Sequence, residues 1–182
     1  MTLPSADAVI DFWFRDIPAK AWFQKSEAFD LDVAARFQDV LQAAVRGELF
    51  SWRQTPMGRL AEIIVIDQFS RNIYRGRPES FSHDPLALIL AQAAVEQGAD
   101  QGLEPDARAF LYMPYMHSES ALIHIEAVRL FSFPGLERNL DFELRHKAVI
   151  DRFGRFPHRN TILGRVSTPE EEAFLLTPGS SF

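Results

Sequence analysis

Three stretches of the chain concentrate the side chains that hold anions or move protons. The first is Asp67-Gln68-Phe69-Ser70-Arg71-Asn72-Ile73-Tyr74-Arg75-Gly76. The second, His117-Ser118-Glu119, follows Pro114 closely. The third runs from Asp151 to Arg165 and sets Arg152, Arg155, Arg159 and Arg165 with His158 among phenylalanines, glycines and Pro157. A guanidinium is flat, stays charged, and grips carboxylate or phosphate with two parallel donors. Imidazole and carboxylate together make an acid–base pair. The expected ligand-binding set is therefore Asp67, Arg71, Asn72, Arg75, Arg152, Arg155, Arg159 and Asn160, with His117, Glu119 and His158 as the groups that orient the ligand or transfer protons.

A plainer reading stands beside that one. Asp67 and Arg71 are four apart on a helix and can simply pair. The arginines of the third stretch can tie down Asp67, Glu119 and Asp151, because buried charges demand partners with or without a ligand. Ser118 and Glu119 also suit a helix start. His117 and His124, seven apart, are expected to face one cavity. They form neither Glu-x-x-His nor His-Glu-x-x-His, so no metal is assigned, and the cofactor is left unknown. No glycine-rich phosphate loop and no Gly-x-Ser-x-Gly elbow is present.

Composition narrows the classes. The 182 residues are 47% hydrophobic and 24% charged, enough for one domain with a sizeable core. The net charge of −6 argues against nonspecific nucleic-acid binding, which needs many cations on phosphates. Only Lys20, Lys25 and Lys147 among the 19 cations are lysine, so the positive charge is almost all guanidinium. With no cysteine there is neither disulfide nor thiol nucleophile. The first residues lack the pattern of a signal peptide, and no apolar run approaches membrane-spanning length. The expectation is a soluble cytoplasmic protein with no membrane or nucleic-acid partner.

The elements that must position these residues read as helices. Ser5, Ser26, Thr55-Pro56, Asp84-Pro85, Glu104-Pro105 and Thr168-Pro169 mark starts, and Gly47, Gly98 and Gly154 mark stops. A long helix is expected over about Ser26–Arg46 and another over about Asn139–Phe153. The spacing of Leu60, Ile63, Ile64 and Phe69 favours helix over strand at 63–66. Leu86, Ile89, Leu90, Ala93 and Ala94 are expected to face the core from the next helix. Pro114 is expected to kink or break the chain. Leu122, Ile125, Val128 and Phe131 are expected to point inward from the helix beginning near Ser118. Thr168 and Glu171 form a capping-box pattern. No run alternates long enough to need a sheet. The fold class is all-α, seven to eight helices packed as antiparallel pairs.

Taken together, the three polar stretches resemble a largely bacterial family known as domain of unknown function 924. The similarity runs from Val9-Ile10-Asp11-Phe12-Trp13-Phe14 to Glu171-Glu172-Ala173-Phe174-Leu175, and Arg152-Phe153-Gly154-Arg155-Phe156-Pro157-His158-Arg159-Asn160 is its most specific part. The resemblance implies an α–α superhelix similar to tetratricopeptide-repeat-like folds, and it implies no activity. The chain departs from the family pattern at Ser120, where an acid is usual, and at His124, where glutamine is usual. Two functions follow as expectations. One is a protein that binds a small anionic ligand, phosphorylated ligands included, in an Arg/His/Glu-lined cavity. The other is a tetratricopeptide-like scaffold that grips an acidic peptide, with the polar motifs structural.

Overall fold

A computed structural model describes residues 3–181; Met1, Thr2 and Phe182 lie outside that range. The described residues are all-helical. The elements are α1 (Ala6–Asp11), α2 (Glu27–Val45), α3 (Pro56–Ile64), α4 (Ser70–Ile73), α5 (Asp84–Glu96), α6 (Pro105–Met116), α7 (Ala121–Phe131), α8 (Glu137–Phe153) and α9 (Pro169–Leu175). A π turn, Val65–Phe69, joins α3 to α4 without a break, so the described chain forms eight helical rods. A second π turn, Phe12–Asp16, extends α1.

The starts are local chemistry. Side chains of Ser5, Ser26 and Thr55 accept hydrogen bonds from Ala8, Phe29 and Gly58 backbone N–H groups, and Thr168 with Glu171 completes a reciprocal capping box. Gly154 takes φ of 69° and ends α8, a conformation costly for any residue with a Cβ. In the interior, α5 packs on α6, α6 on α7 and α7 on α8, while α2 lies against the π turn and α4. Phe12, Trp13, Phe37, Phe69 and Phe110 interlock through tilted and edge-on rings inside this body. A second, small cluster of Val149, Ile150 and Phe156, with Phe153 and Phe174 against it, anchors the C-terminal segment.

Three expectations are corrected. The buried stripe of α5 is Ala87, Ala91 and Ala94, and Ile89 is 60% exposed. On α7 the inward residues are His124, Ala127, Leu130 and Phe131, whereas Leu122 is 74% and Ile125 62% exposed. The buried histidine turns that helix: His124 reaches Glu143 of α8, and this bond fixes which face looks inward. Pro114 does not break α6, which continues to Met116. Every residue from Ala107 to Met116 is buried, so packing outweighs the one backbone bond that proline removes. No described helix is long and apolar enough to cross a membrane.

Candidate functional site

The π turn is where the site begins. Val65–Phe69 are all buried, and the turn carries Asp67 and Gln68 inward. Short π segments recur at functional sites because they re-aim side chains within a continuing helix. Asp67 Oδ1 lies 2.7 Å from His117 Nδ1 at the end of α6, and Gln68 Nε2 donates to Oδ2. Burial alone would raise the Asp67 carboxyl. The Arg71 charge, His117 and these hydrogen bonds outweigh burial and hold it far below the ordinary carboxylate range. An ionised Asp67 accepts, so Nδ1 of His117 carries the proton, and Nε2 of the neutral ring has a lone pair. The His117 imidazole is pushed down from its usual value, by burial first and the Arg71 charge second, against the pull of Asp67.

Arg71, at the start of α4, donates through Nη1 to the Asp67 carbonyl at 2.8 Å and through both Nη atoms to Asp84 at 2.9 and 3.0 Å. Arg159 reaches the same carboxylate: Nη1 lies 3.2 Å from Asp84 Oδ2, and Nη2 donates to the His117 carbonyl at 3.0 Å. Its guanidinium lies 4.6 Å from the ring centroids of both Phe81 and Phe156. Burial, then the nearby Arg71 charge, lowers Arg159 to about 10, with Asp84 and Glu119 opposing. Its Nε is buried and has no acceptor among the described residues.

These groups wall a cavity of about 450 Å³. Gln68, Arg71, His117, His146, His158 and Arg159 form its polar side; Trp22, Phe23, Phe81, Met113 and Ile162 form an apolar side; Ser181 also reaches the wall. Burial, followed by the Arg159 charge, takes His158 down to about 4. His146 falls to about 3, through burial and the neighbouring histidines, although its Nδ1 is hydrogen-bonded to the Phe142 carbonyl. Both rings are neutral near pH 7. Asn72 and Arg75 line the rim with their side chains tied to Asp30 of α2. A more open depression of about 410 Å³ adjoins there and shares Lys25, Asn72 and Arg75.

Of the residues expected to bind or react, the structure brings Asp67, Arg71, Asn72, Arg75, His117, His158 and Arg159 to this cavity or its supporting network. It places Arg152, Arg155, Asn160 and Glu119 elsewhere. Arg155 forms a fork with Glu171 at 2.6 and 2.7 Å, and Arg152 binds Glu170 at 2.8 Å. Asn160 donates to Ser167 and Glu171. Glu119 takes two bonds from Arg165, at 2.6 and 2.9 Å, and one from the Phe156 N–H. Burial raises Glu119, but Arg165 and the backbone donor win and keep it below its usual value. His124 faces no cavity with His117. Its Nδ1 lies 2.7 Å from Glu143 and its Nε2 2.8 Å from the Ser118 carbonyl, both fully enclosed. It thereby pins the turn that presents His117. Among the described residues no three His, Asp or Glu side chains converge on a metal position.

Sequence reasoning missed Asp84, Trp22, Phe23, Phe81 and His146. Asp84 was visible only as a helix opening, and the aromatic pair Trp22-Phe23 only as a connector. The turn Ala19–Phe23 carries them to the cavity.

The model of a family described as bacterial protein of unknown function, DUF924, matches residues 9–179. The chain belongs to this family. It is similar to a solved structure, a protein of unknown function, ATU0120, from Agrobacterium tumefaciens. The two share 40% identity with a TM-score of 0.88, over 94% of this chain and 96% of the other. No curated protein matches the chain.

Proposed function

We propose that the protein binds a small anionic ligand in the cavity walled by Arg71, Arg159 and His117. One observation carries the reading. Arg159 lines a roomy cavity beside Arg71, and its guanidinium keeps a buried Nε–H with no acceptor among the described residues. Leaving a charged donor buried and unpaired costs about 1–3 kcal/mol, a cost an oxyanion removes. The volume suits a metabolite-sized ligand, since such pockets hold roughly 300–1,000 Å³. His117, oriented by Asp67, is the group placed to exchange a proton with whatever binds; His158 lines the same wall.

The test is thermal unfolding with a panel of carboxylates and phosphate compounds, comparing wild type with Arg159→Lys. Lysine keeps a charge for Asp84 but loses the Nε–H. Stabilisation of wild type by mass action, absent in the variant, supports the reading. No shift with any anion contradicts it. A scaffold of tetratricopeptide-like type holding an acidic peptide is the second reading, favoured by the open depression that continues the cavity past Lys25 and Arg75. Saturable binding of acidic peptides, weakened by Arg75→Ala, would favour it instead.

A further inference from the structure

We infer that the ligand carries a hydroxyl group beside its anionic group, as a hydroxy acid or a phosphorylated alcohol does, and that Gln68 and His117 are the acceptors that select for that hydroxyl. This rests on the anion-binding reading and adds what the cavity requires next to the anion.

One buried carboxylate sets both acceptors. Asp67 Oδ2 takes an N–H of Gln68 at 2.5 Å, and Sδ of Met113 lies 3.5 Å from the same nitrogen. The amide nitrogen of Gln68 is thereby engaged, which turns its carbonyl oxygen away from Asp67. Asp67 Oδ1 lies 2.7 Å from His117 Nδ1 and 3.2 Å from Arg71 Nη1. A carboxylate held by a guanidinium accepts, so the proton of the neutral His117 ring sits on Nδ1 and Nε2 offers a lone pair. The Gln68 oxygen and His117 Nε2 have no protein partner among the described residues and are not enclosed, and both side chains line the cavity. A ligand that fills the cavity strips water from both. Without a donor of its own it leaves two acceptors bare, which is costly. A site arranged in this way rejects the analogue that lacks the hydroxyl.

The same carboxylate places the cations alongside. Arg71 spends its Nη atoms on the Asp67 carbonyl and on Asp84, and its Nε–H has no acceptor among the described residues and is not enclosed. Arg71 and His117 both reach one oxygen of Asp67, so the anionic group and the hydroxyl lie close together on the ligand. The charged side chains on the cavity wall are Lys25, Arg71, Arg75 and Arg159. Asp84 stands behind Arg71 and Arg159, and Asp30 behind Arg75, but none of the described residues lining the cavity is Asp or Glu. An ammonium donor would face cations with no carboxylate on the wall to receive it, so the donor is a neutral hydroxyl.

Isothermal titration of the full chain tests this with two series, propanoate, lactate and alanine, and ethyl phosphate, 2-hydroxyethyl phosphate and 2-aminoethyl phosphate. Propane-1,2-diol supplies hydroxyls without an anion. The series that binds identifies the anion. Within it the hydroxylated member is expected to bind at least about tenfold more tightly than the member with hydrogen or an ammonium in its place. Gln68→Met keeps the length of the side chain and His117→Phe keeps a ring, and each removes one acceptor. Either variant should bring the hydroxylated member down toward its unsubstituted partner, a change of ratio that a general loss of stability does not produce. Equal affinities within the series, an amino member bound as tightly as the hydroxylated one, or a preference that survives in both variants overturns this inference and leaves the anion site standing. The comparison within wild type decides the matter even if neither variant folds. Propane-1,2-diol bound as tightly as the hydroxylated anion overturns the anion reading, and with it the pairing inferred from it. No binding of any anion overturns both.

Discussion

Two sets of arginines leave the same stretch of chain and meet opposite surroundings. Arg152, Arg155 and Arg165 each find a carboxylate of their own: Glu170, Glu171 and Glu119. Their task is to fasten α9 and the segment before it onto α8 and the 118–119 turn. Arg159, which lies between Arg155 and Arg165 in sequence, shares Asp84 with Arg71, keeps an Nε with no acceptor among the described residues, and lines a cavity. The lesson is that the number of cations in a motif says little about a ligand site. What separates the two sets is whether carboxylates saturate the donors.

Several measurements sharpen or break that contrast. The largest effect is expected from Asp84→Asn, which leaves both Arg71 and Arg159 buried without their shared anion. We expect a loss of about 3–5 kcal/mol in denaturant unfolding, the usual result of stranding a buried charge. A loss below about 1 kcal/mol would show the cluster to be solvated.

Acid should come next. His146 and His158 have folded values of about 3 and 4 against an ordinary 6.5, so the unfolded chain binds their protons first. Stability they contribute is complete above 6.5 and is lost as pH falls toward 4. Asp67 and Glu119 are likewise depressed, so their contribution disappears at still lower pH. A pH series of urea midpoints should therefore begin to fall near 6.5. A flat profile down to pH 4.5 would contradict the burial of the two rings.

On the fastening side, Glu171→Gln weakens bonds from Arg155, Asn160 and the Thr168 N–H. We expect a cost of about 1–3 kcal/mol in the same assay, with anion binding unchanged. The smallest effect is expected from Arg152→Ala, whose pair with Glu170 is half exposed: no more than about 0.5 kcal/mol.

How much of this was legible depends on how far apart the partners lie. Helix starts at Ser5, Ser26, Thr55 and Thr168 were readable because cap and donor are three residues apart. The outward faces of Leu122 and Ile125 were not, because a distant bond from His124 to Glu143 sets the rotation of α7. The polar motifs were legible as motifs, and the family with them. Their division was not. Arg159 and Asp84 are 75 positions apart, and nothing local distinguishes Arg159 from Arg155. The carboxylates named beforehand as structural partners show the same split, for Glu119 fell to Arg165 while Asp67 became the orienting partner of His117.

The central claim is that Arg159 serves a ligand and Arg155 serves the fold. The most direct measurement is the shift in unfolding midpoint caused by the most stabilising anion of the carboxylate and phosphate panel in wild type, Arg159→Lys and Arg155→Lys. Wild type and Arg155→Lys should shift equally, even if the latter starts lower, and Arg159→Lys should not shift. Equal shifts in all three, or loss of the shift in Arg155→Lys alone, would contradict the account.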